Sequence, residues 1–484
     1  MKKSTNLLLA LSLGSVLISA PVAAQDNPGG GGWTLREAIE YARKNNLQVK
    51  QTRVNRDLSA IDLKQAKLDR LPRINGSANN TYSSGTTVDP TVQELRTVNY
   101  TSLGLQASAS MPLFMGFQQT NRIKQYGYDL QASEQDILAI QSDITLQIIT
   151  SYLNVLFAEE LIKTADLQRN TTQQQLDRTR ILYKAGSVAE VAVLDLESQL
   201  STDELDIINA QNQRDISRLA LIQLLNLENE QAQNFNIVIP DIPEPDESPA
   251  LADPTMVYDV AAQTQPGIKA ADLRVQSSNK ALDVARGAYL PTISASAGVN
   301  TFYNSQGQLF DETGLFEGRV LGFRDEAGTD PLILFSPTFT ARDYPFRDQL
   351  KDGIGKQVSL SLNISVFNGL SARNNVQRAK LGQLNAKLNA DTERNRLRQT
   401  IEQAYADAQA AQRKYAAAKV QVSALERNYK NAELRLNSGV INTVDFYVIT
   451  SNYRRAQSNL IQAKYEYTFK LKVLDFYQGN EITL

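Results

Sequence analysis

The stretch Met111-Pro-Leu-Phe-Met-Gly-Phe117 returns as Ile364-Ser-Val-Phe-Asn-Gly-Leu370, 253 residues further on. The next punctuating glycine keeps that spacing, because Ala185-Gly186-Ser187-Val188 is matched by Ser438-Gly439-Val440-Ile441. From the Phe-x-Gly turn to that glycine, the two copies run without net insertion or deletion. Upstream, Leu71-Pro72 is matched by Leu290-Pro291 at an offset of 219, so the second copy holds 34 extra residues (253 − 219) in between. A duplicated chain with one fixed long element and one expandable loop is a repeat architecture.

Around the quoted motifs the hydrophobic period is two. Leu103, Leu105, Ala107, Ala109 and Met111 alternate with Ser102, Gly104, Gln106, Ser108 and Ser110. In the second copy Val358, Leu360, Leu362, Ile364 and Val366 alternate with Ser359, Ser361, Asn363 and Ser365. Two further runs follow the prolines, Ile74 to Tyr82 and Ile293 to Val299. Each run spans roughly 9–11 residues, the length of a tilted strand that crosses a bilayer, and the small uncharged polar face suits a wet lumen. A soluble sheet with one solvated face is the alternative. The connecting segments, Ser84 to Asn99 and Asn304 to Gly355, are polar and rich in turn residues. The second is too long for an ordinary connection and fits an extracellular loop.

Between Gly116 and Gly186, and between Gly369 and Gly439, there is no proline, and glycine intrudes only at Gly127 and Gly382. These stretches predict two helices, each about 100 Å long at 1.5 Å per residue. Leu130, Ile137 and Ile144 step by seven, and Ile148, Tyr152, Val155 and Leu156 extend the stripe. Leu381, Leu384 and Leu388 lead into an alanine seam at Ala404, Ala408 and Ala411. Small residues at such spacing predict side-by-side coiled-coil packing. Ahead of the first hairpin, Trp33 to Leu71 reads as one helix stopped by Pro72.

The organisation expected is a signal peptide at 1–24, a first repeat at 25–227, a proline-rich linker at 228–253 and a second repeat at 254–484. The first repeat holds a β-hairpin (72–112), a long helix (117–185) and a return helix (188–227). The second holds a hairpin (291–368), a long helix (370–437) and a return helix (443–477).

Lys2 and Lys3, the apolar run Leu7 to Ala20 and the small residues Val22-Ala23-Ala24 make the export signal. Without those two lysines, 48 basic residues face 52 acidic ones, a formal charge of −4. Such a balance argues against a nucleic-acid partner. With no cysteine and no histidine, disulfides, thiolate chemistry, histidine bases and histidine metal sites are excluded. No nucleophile elbow or phosphate-binding loop occurs, and no cofactor is expected.

One chain offers four membrane strands, too few to close a barrel. An open sheet edge in lipid strands backbone groups without partners, at roughly several kcal/mol each. Pooling strands from several copies removes the edges. The repeats, the Leu-Pro junctions, the Phe-x-Gly exits at Phe114 and Phe367 and the two glycine-centred tips resemble the TolC-like outer membrane efflux proteins, from Trp33 to Gly479. The resemblance implies an α+β membrane protein: a twelve-stranded transmembrane β-barrel in a homotrimer, continued by a periplasmic α-helical barrel. It also implies a non-enzymatic exit duct for tripartite efflux or type I secretion in the Gram-negative outer membrane. Its partners would be outer membrane lipid, a periplasmic adaptor and an inner-membrane RND or ABC-type transporter.

The same resemblance assigns adaptor contact to the tips, Gly186, Ser187 and Val188 in the first and Gly439, Val440 and Ile441 in the second. Family members often carry an acid six residues past the second glycine, which Asp445 matches and Ala192, in the first tip, does not. Asp445, Glu190 and Tyr447 are the candidates for a pore constriction, and a ring of Asp445 would favour cations. Plain structural readings stand beside these. Ser187-Val188-Ala189-Glu190 has the form of a capping box, and Asn442 and Asp445 suit a helix start. Phe446 and Tyr447 suit either a gate or inter-helix packing. Leu436 and Ile441 flank the second glycine with apolar side chains, so the family's charged gate is not expected. A periplasmic coiled-coil adaptor or fibre would explain the helices and export but not the matched strands. A glycosidase would need paired carboxylates.

Overall fold

The computed structural model describes residues 32–88, 95–240, 244–245, 251–324 and 331–480. The export signal at 1–24 lies outside the described residues. In chain order the elements are α1 (Leu35–Asn45), α2 (Leu47–Leu68), β1 (Arg73–Val88), β2 (Leu95–Met115), α3 (Gln118–Lys184), α4 (Glu190–Leu225), α5 (Asn229–Gln233), α6 (Pro254–Thr264), α7 (Pro266–Arg286), β3 (Thr292–Asn304), β4 (Gln308–Phe323), β5 (Pro331–Asp343), α8 (Phe346–Asp352), β6 (Gly355–Asn363), α9 (Ser371–Asn437) and α10 (Thr443–Tyr477). They fall into two compact units, one of residues 1–42 and 148–244, the other of 43–147 and 245–482.

The backbone repeats where the sequence does. Gly116 and Phe117 take φ 57° and 61°, and Gly369 and Leu370 take 61° and 62°. Gly186 and Gly439 follow at 73° and 68°, and Asn226 and Gly479 at 56° and 88°. Every pair is separated by 253 residues. Left-handed backbone at Phe117 and Leu370 is disfavoured for side chains of that size, so the strand-to-helix turn imposes it twice.

In the second unit a four-stranded antiparallel sheet runs in the order β1-β2-β3-β6. Its register puts Arg73, Ser110, Ser296 and Ser359 in one row and Ile74, Ala109, Ala297 and Val358 in the next. One face is therefore polar, with the Ser296 and Ser359 hydroxyls 2.7 Å apart. The other is apolar and uncovered in the single chain, Ile74 being 78% and Val358 86% exposed. β6 ends at Asn363, which pairs with Thr292, the first residue of β3. The alternating run Ile364 to Val366 therefore lies outside the ladder, because no strand remains beside it. β2 reaches Met115 through a bulge between Pro112 and Phe114.

The strand exits and the Leu-Pro junctions meet. A Cβ added to Gly116 would lie 2.3 Å from the Gly287 carbonyl oxygen, and one added to Gly287 would lie 2.4 Å from that of Gly116. Two backbones pass where no side chain fits, so glycine is required on both sides.

Three expectations are corrected. The expected four-stranded sheet is present, and the described residues hold a separate two-stranded sheet, β4–β5, in addition. The segment Asn304 to Gly355, expected as a loop, contains the hairpin β4–β5 and helix α8. The apolar β-formers Leu332-Ile-Leu-Phe335 supply the propensity that its polar average concealed. Gln349 fixes α8 to the end of β3, its amide oxygen accepting from Asn304 N at 2.9 Å and its amide nitrogen donating to Asn304 O at 3.1 Å. The first hairpin's strands also persist to Val88 and resume at Leu95; Thr86 and Thr97, paired across them, are β-branched and polar. Finally, the helix expected from Trp33 to Leu71 breaks at Asn46, whose side chain accepts from Gln48 N at 2.8 Å and caps α2.

Of the long-helix stripe in this unit, Ile144 is buried, and so is the alanine seam of α9. Ala411, Tyr415 and Ala418 pack with Ala463 and Tyr467 of α10, and Ile401 packs with Val257 and Ala261 of α6. Leu381, Leu384 and Leu388 remain exposed. Charge joins the neighbouring helices: Arg274 of α7 pairs with Asp136 of α3, and Arg394 of α9 with Asp272 of α7.

The first unit is organised by Trp33. Its N–H donates to Asn236 O at 2.7 Å and its carbonyl accepts from Val238 N at 2.9 Å, forming a parallel bridge with the linker. The Tyr152 hydroxyl lies 3.0 Å from the Trp33 carbonyl and 2.5 Å from that of Val238. One proton thus serves a buried and a half-buried acceptor, and burial pushes the phenol up to about 12. Farther along, Leu176 of α3 packs with Val193 and Leu196 of α4. Between these helices Asp203, 2% exposed, accepts from the hydroxyl of Thr172 and from Gln199 Nε2 at 2.6 Å.

Tyr152→Phe is expected to destabilise the full chain by ~1–3 kcal/mol, the loss for an acceptor, here the Val238 carbonyl, left unpaired, read by urea unfolding. Burial raises the Asp203 carboxyl above its ordinary value. A raised folded-state value means that the contribution of this group is fully present below its unfolded value and is lost as pH rises through the folded one. Asp203→Asn is therefore expected to raise the melting temperature at neutral pH, with the gain shrinking toward pH 4. A gain that holds constant across this range would exclude the titration.

Candidate functional site at the helix-hairpin tips

Each long helix ends in the same hydrogen-bonded motif. At the first tip Gly186 N donates to Tyr183 O at 2.8 Å and Ser187 N to Leu182 O at 2.8 Å. At the second, Gly439 N donates to Leu436 O at 3.0 Å and Val440 N to Arg435 O at 2.9 Å. This is the Schellman arrangement, which needs a left-handed residue at the glycine. Nothing lies within 4 Å of a Cβ built on either, so backbone conformation alone selects glycine here. The tips expose Gly186, Ser187, Gly439 and Val440, while Val188 and Ile441 are half-buried.

The helix restarts differ. The capping box expected at Ser187 and Glu190 does not form. The N-cap is Ala189, without a side-chain bond, and Glu190 is the first helical residue. Ser187 is too far upstream because its N–H already closes the preceding helix. Glu190 is exposed in the first turn, where the helix dipole favours an acid. At the second tip Asn442 is the N-cap, its Oδ1 accepting from Asp445 N at 2.7 Å. The cap therefore belongs to Asn442, and the exposed Asp445 side chain is not needed to make it.

Phe446, weighed as a gate element, is 1% exposed beneath Tyr429, with ring centroids 5.7 Å apart. It is packing. Tyr429 stacks on Tyr453 at 5.3 Å, and the Arg454 guanidinium lies 6.0 and 5.7 Å from the two rings. Burial pushes both phenols up. The equivalent positions of the first hairpin, 253 residues earlier, are Leu176, Val193 and Leu200. The aromatic cluster went unnoticed in the sequence, although comparing the copies position by position reveals it. Tyr447 is half-buried beside it. Among the described residues no group of acids could hold a metal ion.

The outer membrane protein TolC of Escherichia coli (strain K12) is 23% identical over 218 residues, 44% of this chain and 40% of that protein. The chain thus spans well under half the length of that relative. The outer membrane efflux protein BepC of Brucella suis is 21% identical over 439 residues, 90% of this chain and 82% of BepC. Among solved structures, the outer membrane protein VceC of Vibrio cholerae superposes with a TM-score of 0.69 at 14% identity, covering 93% of this chain and 97% of VceC. That likeness fixes the fold. The family model described as outer membrane efflux protein matches residues 38–227 and 257–480, and the chain belongs to that family.

Proposed function

We propose that this chain is the passive exit duct of a tripartite efflux or type I secretion assembly in the Gram-negative outer membrane. Three copies pool their four-stranded sheets into one twelve-stranded barrel. The two helical hairpins of each copy continue it into the periplasm, where the tips meet an adaptor coupled to an inner-membrane RND or ABC-type transporter. No step of catalysis belongs to it. One observation carries the reading: the sheet has an uncovered apolar face and two open edges, β1 and β6. In lipid, edges are tolerated only when closed. β1 and β6 run antiparallel to each other, so β6 of one copy can continue the ladder onto β1 of the next.

The repeat specifies the register of that closure. β6 is the image of β2 at 253 residues, and β1 is the image of β3 at 219. The pair Ala107↔Val299 inside the chain therefore maps onto Leu360 against Asn80 of the next copy. Within one chain these two residues sit on opposite edges, three ladder spacings apart, and eight residues apart along the strands, Asn80 lying in the row of Tyr303 and Leu360 in that of Ala295. That puts them well over about 14 Å apart and beyond disulfide reach. The chain has no cysteine of its own. Asn80→Cys with Leu360→Cys is expected to give a covalent trimer on a non-reducing gel from outer-membrane fractions. Asn80→Cys with Leu362→Cys should link poorly. A monomer with no cross-link, or a soluble periplasmic species, would defeat the duct reading and favour a coiled-coil adaptor.

Asp445 is assigned to the periplasmic constriction as a three-fold acidic ring. Asp445→Ala is expected to raise the concentration of a polyvalent cation needed for half-block in bilayer recordings roughly tenfold, the equivalent of one charge-assisted contact per cation, with the trimer intact. Unchanged block would leave Asp445 as a first-turn acid only.

A further inference from the structure

A cavity of about 440 Å³ opens where the strands pass into the helices, within the second unit. It is lined by Asp69, Arg73, Ser110, Met111, Met115 and Arg122, with Gln119 and Ser294 beside them. That volume is typical of small-molecule sites. The register places Arg73 opposite Ser110, and Pro112 opposite Ser294, all on the polar face of the sheet. The bulge after Pro112 turns Met115, opposite Thr292, onto this face as well. A closed barrel turns its polar face to the lumen, so the cavity opens toward the water-filled path rather than toward lipid.

Its charge is uneven. Asp69 is the only acid in the lining, and it is already engaged: Gln65 Nε2 and Arg73 Nη2 each donate to it at 2.8 Å. Those contacts, with Arg122 close by, hold its carboxyl below the usual range. Arg122 remains as a second guanidinium in the lining, and the Gln119 amide donates to the Asp69 carbonyl at 3.2 Å. Two arginines against one carboxylate leave a net positive site, walled by Met115, Pro112 and Ala66; Met111, opposite Ala295 in the register, borders it from the apolar face of the sheet.

We infer that this cavity is a binding site for amphipathic organic anions, the guanidinium groups of Arg122 and Arg73 taking a sulfonate, carboxylate or phosphate head and Met115 with Pro112 its apolar body. Arg forks suit planar and tetrahedral oxyanions, and methionine adapts to varied apolar shapes. The site's place in transport rests on the duct reading: anionic cargo would pause in the barrel base after passing an acidic periplasmic ring. Asp69 competes with the ligand for Arg73, which keeps binding weak enough for release, as conduction demands.

The test is isothermal titration of naphthalene-1-sulfonate into the full-length protein in non-ionic detergent, with the trimethylammonium analogue of the same ring as control. The sulfonate is expected to bind once per chain and the cation not at all. Arg122→Gln should weaken binding roughly tenfold, the loss of one charge-assisted contact. Arg122→Lys should retain most of it, and Asp69→Asn should tighten it by freeing Arg73. Equal binding of both probes, or an unchanged affinity in Arg122→Gln of normal oligomeric mass, would overturn the site. Titration does not depend on conductance. A chain that binds the sulfonate but forms no trimer overturns the duct reading alone, and a conducting trimer indifferent to Arg122→Gln overturns the site alone.

Discussion

The structure depends on two glycine backbones passing each other at the foot of the sheet. Gly116, where β2 turns into α3, and Gly287, where α7 turns toward β3, leave no room for a Cβ on either. That contact fixes how far one helix emerges beside the strand pair and where the next strand begins. It also couples the two copies of the repeat, since Gly116 belongs to the first and Gly287 to the second. The equivalent exit in the second copy, Gly369, has nothing within 4 Å of its Cβ position. Its counterpart surface is the turn at the end of α2, where Leu68 takes the place of Gly287. In the proposed barrel that surface would come from the next copy, so the junction inside the chain is backbone against backbone, and the corresponding junction of the proposed trimer would set Gly369 against Leu68.

The two hairpin tips share a backbone and differ in chemistry. Identical Schellman turns close α3 and α9, but the cores behind them are aliphatic in one and aromatic with a half-buried arginine neighbour in the other. Stacked rings carry directional contacts and phenolic hydroxyls, which aliphatic side chains lack. The second tip is thus the one whose packing carries polar groups, and the acid at 445 stands on it. The first tip is a plain aliphatic corner.

Much of this was legible in the sequence because periodicity and punctuation are local. The alternation at Leu103 to Met111, the seven-residue steps of α3, and glycines 186 and 439 each report a backbone state set within a few residues. What escaped depended on neighbours. The fate of Ile364 to Val366 is decided by where β3 starts, far away in sequence. The capping box at Ser187 fails because its amide is already committed to the preceding helix. The hairpin β4–β5 was hidden by averaging a polar segment over more than fifty residues, which diluted the short apolar run in β5. The cavity with Arg73 and Arg122 joins five elements, α2, β1, β2, α3 and β3, that no single motif marks.

The constancy of one spacing and the freedom of the other follow from the same geometry. α3 and α9 are each 67 residues long, and the return helices are 36 and 35. In the proposed duct the hairpins must end at the same level, because a pair shortened by one turn would leave an open step of about 5.4 Å at the tip. Any insertion there breaks every lateral contact beyond it. A strand hairpin that ends outside the barrel meets no such condition, since loop length adds little closure entropy and its residues oppose no partner in the ladder. The 34 extra residues of the second copy therefore lie between Pro291 and Phe367, and the stretch from the Phe-x-Gly turn to the tip glycine keeps one length in both copies.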